Sequence, residues 1–163
     1  MRKEVKKTSD IEYRVLDLAR VTRVSAGGRR LRFRAAVAVG DKKGRVGLGL
    51  AKSLSVREAI NKAKRLAEKR MIKVTLREGT IPDLTIGKFG SSKVLLKPRM
   101  TKGLVAGTTV RILCQLAGIE LISSKILSRS KNSFNIAQAT LKAFEESTKY
   151  AIKSDKIKKL SSK

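Results

Sequence analysis

Along residues 13–24 and again along 31–39, β-branched and aliphatic side chains alternate with polar or small ones, the period of a half-buried strand. Ser25-Ala26-Gly27-Gly28 separates the two runs and predicts a hairpin with a glycine loop. Gly40-Asp41-Lys42-Lys43-Gly44 is a second turn signal, and residues 45–52 follow as a third strand with glycines at 47 and 49. The period then changes. Ser55-Val56-Arg57-Glu58 has the form of a capping box, and Val56, Ile60, Ala63 and Ala67 recur at helical intervals, supported by Ala59 and Leu66. An amphipathic helix of about four turns is predicted, with Arg57, Lys64, Arg65 and Lys69 outside. Ile72, Val74 and Leu76 alternate with Lys73, Thr75 and Arg77 as a strand would, so the first unit reads β-β-β-α-β.

Residues 78–83, with Gly79 and Pro82, predict a linker. Beyond it, 94–96 reads as a short apolar strand stopped by Pro98. Residues 108–117 read as a helix ended by Gly118, with Val110, Leu113, Cys114 and Ala117 as its buried stripe, and a brief strand is expected over 119–122. Ser133 is placed to cap a last helix whose inner face takes Ile136, Ala137, Thr140, Leu141 and Phe144, and the Lys-rich remainder from Lys149 reads as fraying. The expected organisation is α+β: a flexible basic arm over 1–10, a β-sheet unit with one helix over 11–77, a small α/β unit over 78–148 and a basic tail over 149–163.

Charge sharpens this picture. Across 163 residues, 39 Lys and Arg stand against 13 Asp and Glu, a net charge of +26, while 41% hydrophobic residues suffice for a core. A folded protein with a polyanionic partner is implied. With no histidine and one cysteine, neither an intrachain disulfide nor a zinc site can form. The acids are scattered singly among cations, which leaves no obvious general acid or base and no carboxylate pair for a divalent metal. Gly47-x-Gly49-x-x-Lys52-Ser53 loosely resembles a phosphate loop but lacks the Gly-Lys pair and its spacing. Cys114, on an apolar helix face, reads as a packed thiol. No enzyme, cofactor, metal or small-molecule substrate is expected. Arg111 and Glu120 interrupt the least charged stretch, and no apolar run follows Met1, so neither a membrane span nor a secretory signal is expected and an intracellular setting follows.

The basic residues cluster at predicted loops and strand ends. In Gly27-Gly28-Arg29-Arg30-Leu31-Arg32 the glycines permit close backbone approach and the arginines can fork onto phosphate oxygens. Gly87-Lys88-Phe89-Gly90-Ser91-Ser92-Lys93 reads as a second loop of hydroxyls and lysines, extended by Lys97, Arg99 and Lys102. Arg20, Arg23, Arg45, Lys52 and Lys125 complete the set of candidate RNA contacts. Four Phe and two Tyr, with no Trp, are too few for a base-stacking platform, and glycine-and-cation loops suit a structured RNA read by shape better than duplex DNA. A free-standing duplex-RNA-binding regulator, which the N-terminal half alone could support, is the alternative reading.

Several motifs fall in the order and spacing of a known family: Arg20-Val21-Thr22-Arg23-Val24, Gly27-Gly28-Arg29, Gly40-Asp41-x-x-Gly44-Arg45-Val46-Gly47-x-Gly49-x-x-Lys52, Ala59-Ile60-x-Lys62-Ala63, Gly79-Thr80, Gly103-Leu104-Val105-Ala106-Gly107, Arg111, Leu116-Ala117-Gly118 and Asn135-x-x-x-Ala139-Thr140. Over residues 11–146 the chain strongly resembles ribosomal protein S-five of the bacterial-type small subunit. The resemblance implies an N-terminal domain similar to double-stranded-RNA-binding domains and a C-terminal α/β domain of the type named after the family. It implies a non-enzymatic ribosomal RNA binder near the neck of the small subunit, cytoplasmic or organellar. Residues 24–30 would approach the spectinomycin-binding region, which gives Ser25, Gly27, Gly28 and Arg29 a specific role. The family's neighbours, ribosomal proteins S-four and S-eight, become expected partners. Gly103 and Arg111 would lie at or near the S-four contact, which influences decoding accuracy beside the channel by which messenger RNA enters. The sequence departs from the family at Leu50 and Ala51, where an aromatic residue and glycine are favoured, at Ser133 (proline favoured) and at Gln138 (arginine favoured). Ser128-Arg129 also replaces a glycine, with what looks like a one-residue insertion.

Overall fold

The computed structural model describes residues 11–100 and 103–161, with side chains through residue 152. The expected arm over 1–10 and Lys102 fall outside the described residues. Strands β1 (Glu12–Ser25), β2 (Gly28–Gly40) and β3 (Arg45–Ser53), then helix α1 (Val56–Lys69) and the short strand β4 (Ile72–Lys73), make an antiparallel sheet in the order β1-β2-β3-β4. After it come β5 (Thr85–Phe89), β6 (Ser92–Pro98), β7 (Leu104–Val105), α2 (Thr108–Ala117), β8 (Ile122–Ile126) and α3 (Ser133–Ser161). Their strands form a second sheet in the order β5-β6-β8-β7, in which only the β7–β8 pairing is parallel. Two sheets and three helices make the α+β class expected from the sequence.

Alternation along β2 and β3 sends their side chains to two different cores. Ala35, Val37, Val39 and Ala51 meet Ala59, Ala63 and Ala67 of α1. Ala38, Val46 and Leu48 point the opposite way, into a larger core with Val94, Leu96, Leu113, Leu116, Ile122 and Phe144. The first sheet is therefore a middle layer, covered by α1 on one face and by the second unit on the other. Glycines set how closely the helices approach. A Cβ on Gly49 would lie 2.0 Å from the Ala63 carbonyl oxygen, and one on Gly87 of β5 would lie 2.0 Å from that of Ala139 in α3. The same device, helix backbone laid directly on a strand glycine, is used in both units.

The β2–β3 loop joins the units. Asp41 Oδ1 accepts the N–H groups of Lys43 (2.8 Å) and Arg45 (2.9 Å), and its Oδ2 accepts Arg45 Nε at 2.6 Å. Burial pushes the Asp41 carboxyl up, but these hydrogen bonds and the Arg45 charge together outweigh it and hold the group below its ordinary value. The loop shaped in this way closes α2. Gly118, in the left-handed region, and Ile119 donate to the Gln115 and Cys114 carbonyls. Lys42 and Gly44 N–H donate to those of Leu116 and Ala117 at 2.9 and 3.0 Å. Each of the last four carbonyls of α2, which a helix end would otherwise leave orphaned, thus has a donor.

Several local expectations shift. The capping box does not form: Ser55 makes no side-chain cap bond, and Glu58 instead accepts the Ser53 hydroxyl at 2.5 Å. Asn132, one residue before Ser133, caps α3 by accepting the N–H groups of Phe134 and Asn135. Ser133 is then the first helical residue, the position where proline is favourable. Instead of fraying at Lys149, α3 continues to Ser161. The strand after α2 spans Ile122–Ile126, not 119–122, because Ile119 completes the helix cap. Likewise β4 covers only Ile72–Lys73 of the expected strand, with Val74 N–H carrying the same register one step further to the Gly44 carbonyl. Residues 78–83 are stitched in place: Gly79 O accepts Glu120 and Leu121 N–H, the Thr80 hydroxyl donates to the Leu121 carbonyl, and Ile81 is buried.

Two outcomes test this packing. Gly49→Ala and Gly87→Ala each lower unfolding free energy by about 2–3 kcal/mol in urea denaturation. Gly27→Ala changes it by less than about 0.5 kcal/mol, because a Cβ there meets nothing within 4 Å. Asp41→Asn costs about 1–3 kcal/mol at pH 7. Because the folded Asp41 titrates below its unfolded value, its contribution is complete above about pH 4 and is lost as pH falls through the folded value, so variant and parent converge at low pH. Equal stability of the two at pH 7 would remove the latch role.

Candidate nucleic-acid interface

The end of the first hairpin runs past its neighbours. β3 pairs with β2 only from Phe33 onward, so residues 21–25 and 28–32 form a two-stranded finger reaching about 17 Å beyond the sheet. Ser25 Oγ donates to the Gly28 carbonyl at 3.2 Å across the tip, where Gly28 takes a φ of +111°. The cross-strand register fixes which arginines lie together. Arg23 faces Arg30, Val21 faces Arg32 and Ala19 faces Arg34, which itself faces Lys52 of β3. These residues share the face turned away from α1. Arg20 and Arg29, opposite Phe33 and Val24, fall on the α1 side with exposed Leu31 and Val24.

On the first of these faces, Val21, Thr22, Arg23, Ser25, Arg30, Arg32 and Lys52 line a cleft of about 330 Å³. At its base Asp17 pairs with Arg34 at 3.1 Å. Among the described residues, no acid forms an ion pair with Arg23, Arg30, Arg32 or Lys52. Arg23 and Arg30 sit directly opposite each other, an arrangement that destabilises a ladder until a counter-anion covers it. The cleft can therefore hold phosphate groups through guanidinium forks. Arg34 escaped the sequence reading, although the two-residue spacing of Arg30, Arg32 and Arg34 already places them on one strand face.

The second predicted cluster is organised differently. Residues 87–93 are not a loop: β5 and β6 pair directly, with only Gly90 and Ser91 between them. Lys88, Lys93, Lys97 and Lys125 all lie on the outer face of the second sheet, and Ser91 is exposed at the turn. Ser92 points inward and is fully buried, so it cannot meet RNA as expected; strand alternation puts it on the side covered by α3. Arg45 commits its Nε to Asp41 and to the shape of the β2–β3 loop, while its side chain stays 51% exposed. Arg99 is half-buried and already engaged. Gly103, with a φ of +123°, and Arg111 are exposed, the one just before β7 and the other on α2.

The remaining sequence signals resolve into packing. Gly47 and Gly49, the phosphate-loop look-alike, lie against α1 backbone. Cys114 is buried, and burial pushes its thiol up to about 12, far from a reactive thiolate. Among the described residues, no group of His, Cys, Asp and Glu could hold a metal ion, and no helix is long and apolar enough to cross a membrane.

The model of the ribosomal protein S5 N-terminal domain matches residues 11–75, and that of the ribosomal protein S5 C-terminal domain matches residues 87–158. Small ribosomal subunit protein uS5 of Thermus thermophilus is 43% identical over 139 residues, which is 85% of this chain and 85% of that protein. The same protein from two individual strains of that organism matches to the same extent. Finger, buried glycines and helix-closing loop thus occur in a sequence that both domain models recognise in order, and the chain belongs to the ribosomal protein S5 family.

Proposed function

We propose that the protein is a structural constituent of the small ribosomal subunit that grips ribosomal RNA with the arginine face of its first hairpin. Family membership makes it a structural protein and not an enzyme. The observation that carries the RNA contact is the row Arg23, Arg30 and Arg32 with Lys52 around the cleft, where like charges face one another without an acid between them. Phosphate oxygens relieve that repulsion and release counterions, so binding is strongly salt-dependent. The tip at Gly27 and Gly28, where a Cβ would meet nothing within the chain, leaves room for RNA backbone to approach. The finer assignment follows the family: the protein stabilises the subunit neck and adjoins ribosomal proteins S-four and S-eight. Exposed Gly103 and Arg111 face the S-four neighbour and support decoding accuracy where messenger RNA enters. What supports it is that both lie on the second unit, away from the arginine finger.

Replacing Arg23, Arg30 and Arg32 together by alanine lowers affinity for small-subunit ribosomal RNA and flattens the logarithmic salt slope by about 2–3. The paired variant Arg20→Ala, Arg29→Ala, on the opposite face, changes the slope by less than about 1. Equal slopes for the two variants would count against the cleft. Arg111→Ala leaves RNA affinity within about twofold and changes misreading of near-cognate codons in a translation assay; unaltered accuracy would remove that assignment.

A further inference from the structure

The cations of the arginine finger converge where those of the second sheet do not. On the outer face of that sheet, Lys88, Lys93, Lys97 and Lys125 are all exposed and stand spread around the aliphatic Ile86 and Leu95. In the finger, Arg23, Arg30, Arg32 and Lys52 instead line one cleft of about 330 Å³. Strand geometry gathers them. Arg30 lies directly across the ladder from Arg23, and Arg32 follows on the same face of β2, about 7 Å further along. Lys52 closes the row from β3, opposite Arg34. Asp17 occupies Arg34, whereas among the described residues no acid forms an ion pair with the other four. Four uncompensated cations thus share a volume at the lower end of the range for small-ligand sites, roughly 300–1,000 Å³.

An RNA strand covers that density of charge only in part. Each nucleotide brings a single phosphate charge together with a sugar and a base, so its charges arrive spaced apart. A linear condensed phosphate carries its charged groups directly joined and puts several of them into the same space. Guanidinium groups suit it, because each can fork onto two phosphate oxygens. For a nucleoside the cleft offers little: no aromatic ring lines it on which a base could stack, and the Ser25 hydroxyl is donated to the Gly28 carbonyl. We infer that, in the chain not yet bound to RNA, the cleft binds a linear condensed phosphate through its phosphates alone, and that this anion and RNA exclude each other there. Inorganic polyphosphate and the phosphate end of a nucleotide share the chemistry that is read. The occupant covers the opposed Arg23–Arg30 pair before RNA does, and because it binds the folded chain it also stabilises that chain.

The inference deepens the proposed function of the cleft and rests on it for the competition with RNA. Inorganic tripolyphosphate is titrated into the full chain by calorimetry at constant ionic strength, beside orthophosphate, a long-chain polyphosphate, and adenosine and guanosine triphosphates. Tripolyphosphate is expected to bind saturably and at least about 30-fold more tightly than orthophosphate. The long chain binds at least as tightly, and both nucleotides stay within about threefold of tripolyphosphate. Replacing Arg23, Arg30 and Arg32 together by alanine weakens binding at least about tenfold. Arg57→Ala, Arg65→Ala and Lys69→Ala together, an equal loss of charge from exposed positions of α1, weaken it less than about threefold. In the parent chain, tripolyphosphate protects Lys52 from acylation and leaves Lys88, Lys93, Lys97 and Lys125 reactive, a pattern that decides without any variant. Orthophosphate binding as tightly, equal weakening in both variants, or protection of all these lysines alike would reduce the effect to diffuse charge and overturn the inference. A nucleotide preferred about tenfold or more would overturn it too, because a base would then be recognised. In competition, tripolyphosphate is expected to weaken the binding of small-subunit ribosomal RNA to the parent and not to the cleft variant. If RNA depends on the cleft but tripolyphosphate does not bind, the inference alone falls. If tripolyphosphate binds the cleft while RNA is indifferent to the anion and to the cleft variant, the mutual exclusion falls together with the RNA grip of the proposed function.

Discussion

The C-terminus of α2 is where the molecule becomes one body. Four carbonyls converge there, at a helix end packed among Leu113, Leu116 and Ile119, where an unpaired carbonyl is costly. Half of the donors come from the other unit, through a loop that has its donating shape only because Asp41 gathers two backbone N–H groups and one guanidinium. Lys42 adopts a φ of +56° to do this, an uncommon conformation for a residue with a side chain. Its carbonyl lies so close to Gly118 that a Cβ there would sit 2.2 Å away. The signature residues of this loop, of which sequence reasoning attached Arg45 to RNA, therefore act first on the junction. Arg45 is the clearest case, because one guanidinium nitrogen is committed before any ligand arrives.

Close helix approach then determines which faces remain available for binding. Gly49 lets α1 lie against the first sheet and Gly87 lets α3 lie against the second, each consuming one sheet face. The first sheet loses its other face to the second unit, so its accessible chemistry is displaced outward onto the finger beyond β3. Among the described residues, the second sheet keeps an open face. One unit consequently offers a narrow arginine cleft and the other a broad aliphatic surface rimmed by lysine. That division follows from layer order and would hold whatever the partners are.

Legibility in the sequence followed periodicity. β1 to β3 and α1 carry full apolar stripes, and α2 ends at a glycine, so all were readable. The β5–β6 hairpin was read only at 94–96, because its other inward positions hold Thr85, Gly87 and Ser92, small or polar residues that fit under α3, and there the alternation that marks a strand falls silent. The same substitution made Ser92 look like a ligand-contacting hydroxyl. Capping was misread by one residue at α3 because Asn132 and Ser133 are both competent caps, and only backbone geometry distinguishes them. Within the finger, the cluster from Arg29 to Arg32 was legible as a cluster but not as two faces. Strand parity separates Arg29 from Arg30, a consequence that becomes available once β2 is seen to begin at Gly28 and not at residue 31.

The placement of the acids explains how so basic a chain folds while keeping its binding surfaces bare. Asp41 holds Arg45, Asp17 holds Arg34 and Glu12 pairs with Lys42, each at or near the seam between the units. Beyond the reach of these pairs, negative charge is absent from the strands of the lysine face and from residues 18–40 of the hairpin. A surface left this unbalanced repels itself and lowers the stability of the compact state. Anything that neutralises it while binding only the folded chain returns that energy as stabilisation. Binding and folding are consequently coupled through the same uncompensated cations, and a more stable charge distribution, with acids interleaved among Arg23, Arg30 and Arg32, would weaken the anion site in the same measure.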